Sequence, residues 1–287
     1  FYLLFFYFFF SRGKRGIRYL AVTGVQTCAL PISDIGIAFH GYAAGGPEDD
    51  HEGTRAEDAV ARIRQGMKAM LRYGSGWLDV GEGVRAITEM GLDSRRFILC
   101  TDDLHSETLI SEGHINRAVK QAITHGVSPM TAIQMATINT AEHFGLSRDL
   151  GMIAPGRFAD ILILSNLAEF VIDQVIVKGK LAAEAGKILI DIPTYDYPAW
   201  ALDSVKLKHS LTEKDFVLPA PNREQVTAHV IGVIENQAPT KHLKVQLKVH
   251  QQEVKPDLDQ HIAKIALVER HKATGKIQVG LVHGFGF

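Results

Sequence analysis

From Asp34 onward, apolar positions recur at two different spacings, and the change from one to the other divides the chain. Thr54-Arg-Ala-Glu57 has the form of a capping box, in which a hydroxyl and a carboxylate satisfy orphan N–H groups at a helix start. Val60, Ile63, Met67, Met70 and Leu71 follow at helical intervals, which predicts an amphipathic helix over 56–72. Gly74 and Gly76 predict its end or a turn, and Gly81 to Met90 a shorter helix. Phe97-Ile-Leu-Cys100 is a compact apolar run, expected as a buried parallel strand that opens onto Thr101-Asp102-Asp103. A further helix is expected from Ser111 to His125, with Ile115, Val119, Ala122 and Ile123 on one face. Ser128-Pro129 then offers an N-cap and a first-turn proline to a helix carrying Ile133, Ala136, Ala141 and Phe144, which Gly145 stops. Alternating strand and helix predicts a parallel sheet with helical crossovers.

Past residue 146 the period shortens to two. Phe158–Leu164 and Phe170–Val177 are β-rich, with Gly179-Lys180 expected as a hairpin turn. Ile192-Pro193 to Pro198 is a linker candidate, and alternation in Val226–Ile234, His242–Val249 and Ile262–Val268 predicts a second sheet-containing domain. No internal repeat is evident. A chain of 287 residues is long enough for about two domains.

Composition adds exclusions. The chain is 46% hydrophobic and 22% charged with a formal net charge of −1, so nothing in the balance points to nucleic acid or an anionic membrane. Two cysteines, Cys28 and Cys100, make no disulfide framework and suit a reducing cytoplasm. The apolar run Phe1–Phe10 is half the length of a membrane span, and Arg12, Lys14 and Arg15 follow it where a signal peptide would place them before. Val22-Thr-Gly-Val-Gln-Thr-Cys-Ala-Leu-Pro-Ile32 resembles the in-frame translation of a sequencing-library adapter, so residues 1–33 are read as a non-native leader and set aside.

Among groups that could carry chemistry, Asp102 stands out. An aspartate directly after an apolar strand of an α/β unit lies at the carboxyl end of the sheet, where barrel enzymes place catalytic groups. There it can coordinate a divalent metal and take a proton from metal-bound water. The competing role is a helix cap, which suits Asp103 better. His51 lies in the acidic knot Pro47-Glu48-Asp49-Asp50-His51-Glu52 ahead of a helix. Those acids could simply favour the positive helix end, or they could orient His51 as a metal ligand. His105, Glu112 and His114 are lesser candidates, and His40 and His143 read as structural. His242, His250, His261 and His271 lack ligand spacing and read as solvated.

Five stretches carry a resemblance: Gly41–Glu52, Phe97–Asp103, Glu112-Gly-His114, Ala132–Asn139 with Ala141–Gly145, and Gly151-Met-Ile-Ala-Pro-Gly-Arg-Phe-Ala-Asp-Ile161. The last resembles a signature of the amidohydrolase superfamily, and the others resemble its microbial adenine deaminase branch. The resemblance implies an α/β fold: the C-terminal part of a (β/α)8 TIM-type barrel over 34–146, a small β-domain segment over 147–192, and a truncated C-terminal α+β domain over 193–287. It implies hydrolysis of adenine to hypoxanthine and ammonia at a divalent metal (manganese, iron or zinc). His51 would match a metal ligand after the sixth barrel strand. Asp102 would match a ligand and proton shuttle after the eighth, and Glu52 would be a second catalytic carboxylate. The family's first-strand histidines, fourth-strand carboxylate and fifth-strand histidine have no counterpart here, and His40 is too close to His51 to supply the last. The expectation is therefore an internal piece of such an enzyme, inactive alone, cytoplasmic, and homo-oligomeric at full length. The alternatives are another amidohydrolase, of dihydroorotase or deacetylase type, or a non-catalytic degenerate barrel.

Overall fold

A computed structural model describes residues 36–235 and 240–284, which fall into two units divided between Asp191 and Ile192. The leader-like segment 1–33 lies outside the described residues. In the first unit, α1 (Ile37–Ala44) precedes a two-residue strand β1 (Asp49–Asp50), then α2 (Ala56–Arg64) and β2 (Lys68–Arg72). The run expected as one helix over 56–72 is thus a helix and a strand. Gly66, at φ +82°, takes the left-handed conformation that glycine adopts without penalty and stops α2. Beyond it Met67, Ala69 and Leu71 are buried at period two, inside a stretch that also satisfies the helical period. The helix cap is shifted too: Asp58, not Glu57, accepts the backbone N–H groups of Thr54 (3.2 Å) and Arg55 (3.1 Å).

Two short helical turns, α3 (Val80–Gly83) and α4 (Arg85–Thr88), lead to β3 (Phe97–Cys100). β1, β2 and β3 form a parallel sheet in that order, with Asp50 opposite Ala69 and Arg72 opposite Cys100. Next come α5 (Ser106–Ser111), which was not expected, and α6 (Ile115–Thr124), the helix expected over 111–125, which begins only past Gly113 at φ +126°. α7 (Pro129–Ala136) begins as the sequence predicts, with the Ser128 hydroxyl accepting the Thr131 N–H and Pro129 in the first turn. α8 (Ile138–His143) follows it. Ala118, Val119, Ala122, Ala132 and Met135 pack on Ala69, Leu71, Phe97 and Leu99 to make the core. Burying a side chain of valine or leucine size contributes about 1.5–3 kcal/mol, so each of these larger side chains stabilises the unit on that scale.

An antiparallel sheet then runs β4 (Ile161–Asn166), β5 (Val171–Val177), β6 (Lys180–Glu184) and β7 (Lys187–Ile188). The β5–β6 turn is Lys178-Gly179, one residue earlier than expected. Both residues have positive φ, 50° and 77°, as the primed turns that match strand twist require.

The second unit holds a single turn α9 (Ala199–Leu202), then β8 (Gln225–Gly232), β9 (Lys241–His250), β10 (Glu253–Val254), β11 (Ile262–Val268) and β12 (Ile277–His283). The sheet order is β10-β9-β8-β12-β11, antiparallel except for the parallel β12–β8 pair. Val230, Leu247, Ile262 and Leu281 form its core, and the alternate residues His229, His242, Lys244 and Gln246 face solvent.

Candidate active site

The carboxyl ends of β1, β2 and β3 place three functional segments side by side. β1 is too short to hold its position by backbone pairing alone, and the acidic knot anchors it. Asp50 forms a buried ion pair with Arg62 of α2, whose guanidinium also lies 5.1 Å from the Phe39 ring centroid. Asp49 pairs with Nε2 of His143 on α8 at 2.6 Å. These two acids are therefore structural anchors rather than helix-dipole partners, and His143 is structural as its sequence context suggests. The chain beyond them delivers His51 and Glu52, whose side chains meet at 3.5 Å.

Arg72 ends β2 and is 1% exposed. Its Nε donates to Asp79 at 2.7 Å, and its Nη1 donates to Glu52 at 3.2 Å and to Asp102 at 3.3 Å. The guanidinium carbon lies 4.6 Å from the centre of a Trp77 ring, a cation–π contact. Its Nη2 is buried and has no hydrogen-bond partner among the described residues. Burial opposes the cation, but the carboxylates of Asp79, then Glu52 and Asp102, outweigh it and hold the guanidinium above its ordinary pKa. Burial pushes Asp79 up; Arg72 pulls against this, while Glu52 and Asp102 add to the rise. Of the three carboxyl groups around this guanidinium, Asp79 is buried, while Glu52 and Asp102 remain partly exposed.

Asp102 follows β3 with φ +54°, a left-handed backbone that turns it out of the strand and toward Arg72. It does not cap a helix. Neither does Asp103, whose carboxylate accepts the backbone N–H groups of Gly76 (2.6 Å) and Trp77 (3.3 Å) and so pins the loop that carries Trp77. A Cβ on Gly74 would come within 1.9 Å of that carboxylate, which explains the glycine there. Burial, with Asp102 adding to it, pushes the Cys100 thiol up to about 12, which disfavours its thiolate.

The structure thus brings Glu52 and Asp102 onto one guanidinium and joins His51 through Glu52. It does not bring in His105, Glu112 or His114. Glu112 pairs with Arg117 at 2.7 Å, and burial pushes His114 down. Sequence reasoning missed Arg72, Asp79 and Trp77. The available signal was an arginine directly after Ala69-Met-Leu71, where a buried charge is costly unless paired. A groove of about 500 Å³ lies elsewhere, lined by residues including Phe39, His40, Val60 and Met90, and touches none of the strand-end groups.

Comparison with known proteins shows what the chain is similar to. Residues 54–182 match the amidohydrolase family, and residues 237–287 match the adenine deaminase C-terminal domain. The chain is 57% identical over 255 residues to an adenine deaminase of Mesorhizobium japonicum, covering 88% of this chain and 42% of the relative. The chain is a relative of the microbial adenine deaminases. This relationship reaches further, to the adenine deaminase of Moorella thermoacetica at 46% identity, over 90% of this chain and 43% of that protein. The chain thus spans less than half the length of these relatives. Among solved structures, a β-aspartyl dipeptidase from Fervidobacterium islandicum gives a TM-score of 0.39 at 15% identity, covering 51% of this chain and 41% of that one, too distant to add to the case.

The amidohydrolase family that residues 54–182 match implies a divalent metal cofactor. The described residues do not fit one by themselves. No three histidine, cysteine, aspartate or glutamate side chains among them converge to hold an ion, and Arg72 is already engaged with Glu52 and Asp102. A structural zinc site takes four protein ligands and a catalytic one three.

Proposed function

We propose that the full-length protein hydrolyses adenine to hypoxanthine and ammonia, and that this chain supplies the strand-end carboxylates of its reaction centre. On this reading β1, β2 and β3 are the last strands of a (β/α)8 barrel, residues 147–192 a small β-domain, and 193–287 part of a C-terminal domain. The observation that carries the proposal is the gathering of Glu52 and Asp102 on the Arg72 guanidinium at the carboxyl ends of parallel strands, where barrel enzymes do their chemistry.

In this assignment Asp102 holds and moves the proton at the reacting centre, working through a carboxylate that stays one-third exposed. Glu52 acts beside it, and His51 and Asp102 would contribute to holding a divalent metal (manganese, iron or zinc), whose set of ligands the described residues do not complete. Arg72 acts as a positioning residue: its fork fixes both carboxylates, and the Trp77 and Asp79 contacts fix the fork. The enzyme so assembled is cytoplasmic and homo-oligomeric, takes adenine as a small-molecule substrate, and needs neither nucleic acid nor membrane. No helix among the described residues is long and apolar enough to cross a bilayer.

A chimera tests this directly. Residues 41–287 replace the matching stretch of the Mesorhizobium japonicum relative, and adenine loss is followed in the presence of manganese or iron. Turnover is expected, with Asp102→Asn lowering kcat by at least about 100-fold, the scale of a lost proton-transfer group. The 287-residue chain alone is expected to be inactive. A folded chimera that ignores adenine but opens a cyclic amide would overturn the assignment.

A further inference from the structure

In the second unit the fold creates a constellation that residue spacing hides. His229 on β8 and His242 on β9 are thirteen positions apart in sequence, without the short intervals of a familiar metal site. The antiparallel register sets His229 opposite Lys244 and His242 opposite Ile231, so the two histidines are diagonal neighbours on the solvent-facing side of the sheet. Diagonal side chains across a strand pair are within reach of aromatic rings. Here they meet. Nδ1 of His229 and Nε2 of His242 are 2.6 Å apart, the ring planes differ by only 16°, and the centroids lie 4.8 Å apart.

Imidazole carries its lone pair in the ring plane, on the nitrogen without a proton. Two nearly parallel rings joined through facing nitrogens share one hydrogen bond when both are neutral. The same two nitrogens are the atoms that bind a transition metal. Zinc–imidazole bonds of about 2.0–2.1 Å in tetrahedral geometry place two ligand nitrogens about 3.3 Å apart. Opening the gap from 2.6 Å to that distance needs only small side-chain rotations, which exposed residues on a rigid sheet can make. The strand pairing from Gln225–Lys248 to Gly232–Lys241 has already met the cost of bringing the ligands together. No carboxylate is bonded to either ring among the described hydrogen bonds, so the donor set is imidazole alone. Imidazole selects zinc, nickel and copper over the oxygen-seeking calcium and magnesium.

We propose that His229 and His242 form a two-histidine clip for a borderline divalent transition metal, tying β8 to β9. The clip stands whether or not the deaminase assignment holds, because it uses residues of the second unit only. Water fills the remaining coordination positions, and copper binds more tightly than nickel or zinc, in the order expected for nitrogen ligands.

The test uses the 287-residue chain stripped with EDTA, titrated with zinc chloride and then copper chloride, and followed by calorimetry and by NMR of the histidine ring nitrogens. The expected result is one bound ion that shifts Nδ1 of His229 and Nε2 of His242. His229→Ala and His242→Ala should each weaken that binding at least tenfold while keeping the metal-free circular dichroism spectrum and urea midpoint. Equal affinity in wild type and both variants, or shifts confined to other histidines, overturns the proposal. The NMR readout remains decisive even if an alanine variant is poorly folded, since it identifies the ligating nitrogens in the unaltered chain.

Discussion

The two units bury different kinds of residue. Asp50, Asp58, Arg62, Arg72, Asp79 and Asn139, the buried polar residues among those described, all belong to the first unit. The core of the second is Ala220, Val230, Leu247, Val254, Ile262 and Leu281, with no charge in it. A buried ion pair is weak evidence for stability, since hydrophobic side chains of similar volume commonly do as well. The first unit keeps its pairs where the strands end, beside the candidate site, so their value lies in fixing directions. Among its described residues the second unit buries no charge fully: its Lys264–Glu253 pair is half-buried, and its histidine pair lies on the exposed face of the sheet.

That contrast can be broken experimentally. The largest effect is expected from Arg72→Met, which strands the buried carboxylate of Asp79. The first unit should lose about 3–5 kcal/mol, the scale of removing one partner of a buried pair. Urea unfolding followed by Trp77 emission in a Trp200→Phe background measures it, and a loss below about 1 kcal/mol would mean that the cluster is not a tightly held structure. Next comes Leu247→Ala in the second unit, 1% exposed in the wild type, expected to cost about 2–5 kcal/mol through lost burial and the cavity left behind. Circular dichroism of the β-rich transition reads this change, while the Trp77 transition should not move.

The smallest effect is a titration on the exterior of the second unit. Glu269 accepts the backbone N–H groups of Thr274, Lys272 and His271 and the Thr274 hydroxyl, which together hold its carboxyl at about 2, against 4.5 when free. A depressed folded value means that its stabilising contribution is full above the unfolded pKa and is lost as pH falls from about 4.5 to about 2. Carboxyl-carbon NMR should give a midpoint near the lower value, and Glu269→Gln should flatten the acid side of the second unit's stability curve. A midpoint at the ordinary glutamate value would remove the loop clamp from the picture.

How much of this was legible beforehand depended on the range of the interactions involved. The Ser128-Pro129 helix start, the β3 run and the alternating strands of the second unit were readable because each depends on neighbours within a few residues. The 56–72 segment misled because its apolar residues fit both periods, and only the left-handed Gly66 with parallel pairing on both sides of β2 chose between them. In the site, Asp102 and His51 were visible as chemistry-bearing types beside strands. The role of Arg72 was not, because its partners lie 7, 20 and 30 residues away and meet only when three strand ends align.

By itself, then, the sequence determined the alternation of elements, the place of the strand-end carboxylates and the kinship with adenine deaminases. The tertiary structure alone decided that Asp49 and Asp50 serve as anchors, that Arg72 gathers Glu52 and Asp102, and that His229 faces His242. The physical reason is the same in each case. Local propensity and burial are written in short-range pattern, whereas a charge or a lone pair acquires its role from whichever distant group the folded backbone sets within about 3 Å of it.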